Sequence, residues 1–250
     1  MIKAVYFDFG YVIGYPKRDI DRKYLYLDWD DIDGLITDNR LAEYADKNID
    51  NETIVKFFEK ELYREFIAHE NSDLIDPGSN TILLNKLSAL YHCNIDQRFV
   101  DIVLAHIDTM KYIDIDPGIS EILSELKSRG LILSMISNMM LPGKLLLNKL
   151  EENNILHYFN NVIISSDTGY IKPHPKIFTQ ALKKDALQPN EAVFMGDSYR
   201  QDMIGAKIAG MKTIWLNCRN ESIDNPTSAD YTILNISEIP GIIDRVLNNG

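Results

Sequence analysis

The chain is predicted to be an α/β protein: a doubly wound parallel sheet carrying a helical insert near its N-terminus. Three observations carry that prediction. From residue 131 onward, short apolar runs recur at strand length, and helical stretches separate most of them. The opening apolar run ends in Asp8 and is followed by Gly10, the way a buried parallel strand enters a functional loop. Between these two regions, from about Tyr15 to His106, apolar residues recur at helical spacing and strand-like alternation is absent.

In chain order, the first strand is the opening apolar run that passes through Ile2-Lys3-Ala4-Val5-Tyr6-Phe7 and ends in Asp8. The insert then shows its helical period in Ile54, Phe57, Phe58, Leu62 and Phe66, with Asp76-Pro77-Gly78-Ser79 as a turn between helical stretches. After Asp116-Pro117-Gly118, Ile119 to Arg129 reads as an amphipathic helix stopped by Gly130. Further strands are expected at Leu131 to Ile136, Val162 to Ile164, Ala192 to Met195, Thr213 to Leu216 and Tyr231 to Leu234. This divides the chain into a core domain, residues 1–15 and 110–250, and a helical domain, residues 16–109.

Bulk properties narrow the function. The 250 residues are 45% hydrophobic and 25% charged, which suits a globular protein with a sizeable core and excludes disorder. A formal net charge of −11 with no basic stripe excludes a nucleic-acid surface but not a small anionic substrate, since a metal ion and a few local cations can offset the field in a pocket. Cys93 and Cys218 lie far apart without metal-type spacing, so neither a disulfide framework nor a zinc cluster is expected. Met1 runs straight into the first strand and the apolar runs are too short to span a membrane, which predicts a cytoplasmic protein without membrane association.

Asp8, Ser137, Lys172 and the Gly196-Asp197 pair each fall just past a predicted strand. Parallel sheets bind ligands at the carboxyl ends of their strands, so the four would converge on one crevice. In this order they resemble the haloacid dehalogenase-like superfamily. Val5-Tyr6-Phe7-Asp8 is similar to its first motif, Ile136-Ser137-Asn138 to its second, and Lys172-Pro173 within Gly169 to Pro175 to its third. Gly196-Asp197, followed by Asp202, Gly205-Ala206 and Ala209-Gly210, is similar to the fourth and is the most specific of them. The resemblance covers nearly the whole chain outside the insert. It implies a Rossmann-like core, and it makes the insert a type 1 cap, a helical domain that closes over the site and selects the substrate.

The resemblance also implies roles. Asp8 would attack phosphorus and form an aspartyl-phosphate that water hydrolyses. Asp8, the Gly10 carbonyl, Asp197 and Asp202 would hold Mg²⁺, a cation that favours few carboxylates plus waters and phosphate. For Asp202 a place at a helix N-terminus is an equal alternative. The Ser137 hydroxyl and the Asn138 backbone amide would bind phosphate oxygens, and Lys172 would neutralise charge on Asp8 and the transferring group.

One departure matters. Phosphatases of this family usually carry a second aspartate two residues after the nucleophile, which protonates the leaving group and then activates water. Here that position is Gly10. General acid–base assistance is worth roughly 10²–10⁴ in rate, or about 3–5.5 kcal/mol of barrier. Tyr11 is a poor base because phenols keep their proton at neutral pH, which leaves an acid of the insert such as Asp19 or Asp21, an undemanding leaving group, or a slow enzyme. The gap makes a phosphomutase unsuitable. The reading is therefore a Mg²⁺-dependent phosphatase of small phosphorylated metabolites, sugar phosphates before nucleotides. The alternatives are a 2-haloacid dehalogenase, for which Gly196-Asp197 would be superfluous, and a catalytically weak phospho-ligand-binding protein.

Overall fold

The computed structural model describes residues 1–17, 96–106, 109–139 and 141–248, with scattered single positions between 64 and 89. Ile54, Phe57, Phe58, Leu62 and Phe66, the turn at 76–79, Asp19, Asp21 and Cys93 lie outside the described residues.

In chain order the described elements begin with strands β1 (Ala4–Phe7) and β2 (Gly14–Pro16), helix α1 (Gln97–Ala105) and strand β3 (Ile113–Ile115). Helix α2 (Ile119–Ser128) leads to β4 (Ile132–Ser137), then α3 (Lys144–Glu152), β5 (Asn161–Ile164) and the short α4 (Ser165–Thr168). Helix α5 (Pro175–Lys184) leads to β6 (Ala192–Gly196). A π-helical turn (Tyr199–Ile204) follows and runs into α6 (Gly205–Ile208). The chain ends in β7 (Lys212–Leu216), β8 (Tyr231–Ile233) and α7 (Ile239–Asn248).

Six strands form one sheet in the order β5-β4-β1-β6-β7-β8, every neighbouring pair parallel. Ala4 of β1 is level with Ile132 on one side and Ala192 on the other. The chain builds outward to β5, crosses back and builds outward to β8, so its direction of winding reverses around β1. Crevices of parallel sheets open at such reversals, and Asp8 stands at the carboxyl end of this strand.

Apolar side chains alternate between two buried layers because successive strand residues face opposite sides. Val5, Phe7, Leu133, Met135, Val193, Met195, Ile214 and Leu216 pack with Ile119, Ile122, Leu123 and Leu126 of α2 and Ile239, Ile242, Ile243 and Val246 of α7. Ala4, Tyr6, Ala192, Phe194 and Trp215 pack with Ile177, Phe178, Ala181 and Leu182 of α5 on the opposite face. Both helix faces repeat at three and four residues, the spacing that aligns side chains on one stripe. Helix α2 gives way at Gly130, whose N–H donates to the Lys127 carbonyl at 2.9 Å.

A correction concerns the junction of core and insert. β2 and β3 pair as an antiparallel ribbon, Gly14 opposite Ile115 and Pro16 opposite Ile113, where no strand is expected from the sequence. Each strand has three residues, too few for alternation to show, and its partner is remote in the chain. No helix among the described residues is long and apolar enough to cross a membrane.

Candidate active site

The carboxyl ends of β1 and β6 are bound together beyond the sheet, where the Asp8 N–H donates to the Met195 carbonyl at 2.8 Å. Here the chain delivers Asp8, Asp197 and Asp202, one carboxylate oxygen of each lying within 4.8 Å of the other two. Lys172 reaches this cluster from the loop after α4. Its Nζ donates to Asp8 Oδ1 and to Asp202 Oδ1, both at 2.7 Å, and only 1% of its surface is exposed. Burial opposes charge on this amine, but the two carboxylates outweigh it and the Lys172 pKa is raised. Lys172 is a fixed ammonium ion beside Asp8.

The fourth motif acquires a steric meaning. A Cβ at Gly196 would lie 2.2 Å from Asp202 Oδ2, so only glycine lets this carboxylate fold back beneath the end of β6. At Gly205 a Cβ would meet the Phe178 ring at 2.6 Å and the Pro173 Cα at 2.9 Å, so glycine there brings α6 against the loop that carries Lys172. Asp202 is fully buried in the π-helical turn, and both its oxygens are engaged, Oδ2 accepting from Ser198 N at 2.9 Å. Burial raises its pKa against the pull of Lys172.

Asp197 has a different environment. Trp215 Nε1 donates to its backbone carbonyl at 3.0 Å, but its Oδ2 atom is buried without a hydrogen bond. Arg219 Nη2 lies 2.8 Å from that atom, an ion pair without hydrogen-bond geometry. Burial, then Asp8 and Asp202, push the Asp197 carboxyl up to about 7. Three carboxylates in one pocket with one lysine and one arginine leave negative charge to be offset. The donors are all hard oxygens, which fits a divalent cation such as Mg²⁺ rather than a soft metal.

The four charged residues expected from the sequence are thus brought together. Gly10 follows Asp8 in a tight turn, bridged to Gly14, in which Tyr11 adopts φ 55° and its N–H donates to the Gly14 carbonyl at 2.8 Å. Ser137 ends β4, buried, and its hydroxyl has no hydrogen-bond partner among the described residues. Asn138 makes a contact that the sequence did not disclose. Its side chain clasps the Lys172 backbone, Oδ1 accepting from Lys172 N at 2.8 Å and Nδ2 donating to Lys172 O at 3.1 Å. This fixes the lysine's loop to β4. Ser165, fully buried, similarly holds Met139 N at 2.9 Å. Leu74 also meets the lysine's loop, its carbonyl accepting from Ile171 N at 2.9 Å.

Sequence reasoning missed Arg219. It lies three residues past the end of β7, the same kind of position that selected the other site residues, and that placement was the available signal.

Comparison with known proteins follows the same lines. The profile of the family described as haloacid dehalogenase-like hydrolase matches residues 31–216. A glyceraldehyde 3-phosphate phosphatase of Pyrococcus furiosus is 30% identical over 237 residues, 89% of this chain and 93% of that protein. The enzyme of the same description from Pyrococcus abyssi is 33% identical over 199 residues, 77% of this chain and 80% of its own. Among solved structures, a 2-haloacid dehalogenase of Pseudomonas syringae pv. Tomato superposes with a TM-score of 0.67 at 22% identity, over 98% of this chain and 99% of that one, a likeness of fold alone.

Proposed function

The chain belongs to the haloacid dehalogenase-like hydrolases, and from that membership we propose that it is a cytoplasmic, Mg²⁺-dependent phosphatase of small phosphomonoesters, sugar phosphates first. The observation that carries this reading is Asp8 held at 2.7 Å by the buried Lys172 within a carboxylate cluster suited to a divalent cation. A metal-free displacement of halide by Asp8 would leave Gly196-Asp197 without a role. The glyceraldehyde 3-phosphate phosphatases among the relatives support the substrate class.

In the proposed reaction Asp8 forms a bond to phosphorus as the bond to the alcohol oxygen breaks, and the departing alkoxide takes a proton from water. Water then attacks the aspartyl-phosphate, releasing inorganic phosphate and restoring the Asp8 carboxylate. Lys172 holds the Asp8 carboxylate in one orientation and offsets negative charge on the transferring group. The Ser137 hydroxyl would donate to a phosphoryl oxygen, with the Asn138 backbone amide beside it. Asp197, Asp8 and the Gly10 carbonyl would hold the metal. Asp202, both oxygens engaged, stands at the same cluster and keeps Lys172 in place. A bound Mg²⁺ would supply the positive charge that lets an anionic nucleophile approach an anionic phosphate.

Phosphate release from a panel of sugar phosphates, nucleotides and an aryl phosphate, with and without Mg²⁺, tests the proposal. Metal-dependent release that Asp8→Asn abolishes is the expected result. Metal-free release of chloride from a 2-haloacid, with no phosphate released from any ester, would replace this reading by that of a dehalogenase.

A further inference from the structure

The carboxylates of the cluster are not equally compensated. Asp8 and Asp202 share the Lys172 ammonium, whereas the buried Asp197 Oδ2, which accepts no hydrogen bond, faces the Arg219 guanidinium at 2.8 Å. Arg219 is placed to leave. Its side chain is 41% exposed, the same Nη2 lies 3.2 Å from Glu221 Oε1, and its guanidinium carbon sits 5.1 Å from the centre of the Tyr11 ring. An anion and an aromatic face therefore already hold the group beside the site. A divalent ion on Asp197 would stand within a few ångströms of the guanidinium, where like charges repel strongly in a pocket poor in water.

We infer that Arg219 is a tethered counter-ion that occupies Asp197 while the metal is absent and withdraws onto Glu221 and Tyr11 when a divalent cation binds. Metal loading is then an exchange of one cation for another. The resting protein avoids a bare carboxylate cluster, and its affinity for metal is lowered in return. The inference rests on the metal site proposed above.

The two states are linked by a thermodynamic cycle. If Arg219 stabilises the metal-free form alone, removing it destabilises that form and tightens metal binding by the same factor. Calorimetric titration of Mg²⁺ into wild-type protein, Arg219→Gln and Arg219→Lys reads the second quantity, and thermal melts in EDTA and in saturating Mg²⁺ read the first. Arg219→Gln is expected to tighten Mg²⁺ binding roughly two- to fivefold, the span of a partly exposed ion pair. Its melting temperature should fall in EDTA and match wild type in Mg²⁺, with Arg219→Lys close to wild type throughout. An equal fall in both conditions with unchanged affinity would mean that Arg219 stays on Asp197 and would overturn the exchange. Weakened Mg²⁺ binding, or no change in any of the three quantities, would overturn it as well. Absence of Mg²⁺ binding by the wild type would remove the metal site itself and this inference with it.

Discussion

At the scale of single residues, the site is a charge balance with one chemical gap. Lys172 contacts Asp8 and Asp202 while Arg219 contacts Asp197, so each carboxylate has a cation within 2.8 Å. The gap is Gly10, where the family resemblance leads to the expectation of an acid. The turn has room for one, since a Cβ there meets nothing nearer than Asp8 Oδ2 at 3.8 Å and the backbone is not left-handed. Gly10→Asp is therefore expected to fold and to raise turnover by roughly tenfold or more, a part of what general acid–base catalysis supplies. Steady-state kinetics on a sugar phosphate decides it. Unchanged turnover in a variant that melts like wild type would show that another group already handles the proton.

At the scale of elements, precision comes from side chains that tie one element to another. Asn138 clasps the backbone of Lys172, so the second motif positions the third. Helix α5 is anchored by Asp185 at its C-terminal end. This buried carboxylate accepts from Tyr6 Oη at 2.6 Å, Ser134 Oγ at 2.7 Å and Asn161 Nδ2 at 2.6 Å, and from Asn160 Nδ2, which joins the helix to β1, β4 and the start of β5. Burial and then the Asp185 bond raise the Tyr6 pKa, so the phenol remains a donor. Asp185→Ala would leave several donors without an acceptor, at about 1–3 kcal/mol for each buried group that water does not reach. Urea unfolding is expected to show a loss of about 3 kcal/mol or more. A loss below about 1 kcal/mol would mean that water replaces the carboxylate at little cost.

At the scale of the whole molecule, the fold brings Asp8 of the N-terminal strand against Asp197 and Asp202, and the stability of the metal-free protein depends on pH as a result. Burial, then Asp8 and Asp202, raise the Asp197 pKa to about 7, and burial raises that of Asp202 too. A carboxyl group whose pKa rises on folding holds its proton more tightly in the native state. Stability is therefore lost as the pH climbs from the ordinary carboxylate value near 4 to about 7. A divalent cation favours the ionised carboxylates and offsets that loss. Melting curves should show a larger Mg²⁺-induced gain at pH 7.5 than at pH 5, and an equal gain at both would contradict the raised pKa values. The strands of the parallel sheet and the order of the motifs were readable from sequence because both are local: a buried strand needs a continuous apolar run, and Asp8, Ser137 and Asp197 stand at the ends of such runs, whereas Lys172 comes only after β5 and the short α4. The β2–β3 ribbon was not readable, since its pairing joins two three-residue segments remote in the chain. Nor was the pairing of Arg219 with Asp197, the clasp of Asn138 or the anchor at Asp185, because each is a contact between residues that meet only after the sheet has formed. Residue types and spacings thus carried the architecture and the class of chemistry. Which cation compensates which carboxylate was settled by packing, since charges couple through distance and burial in space rather than through separation along the chain.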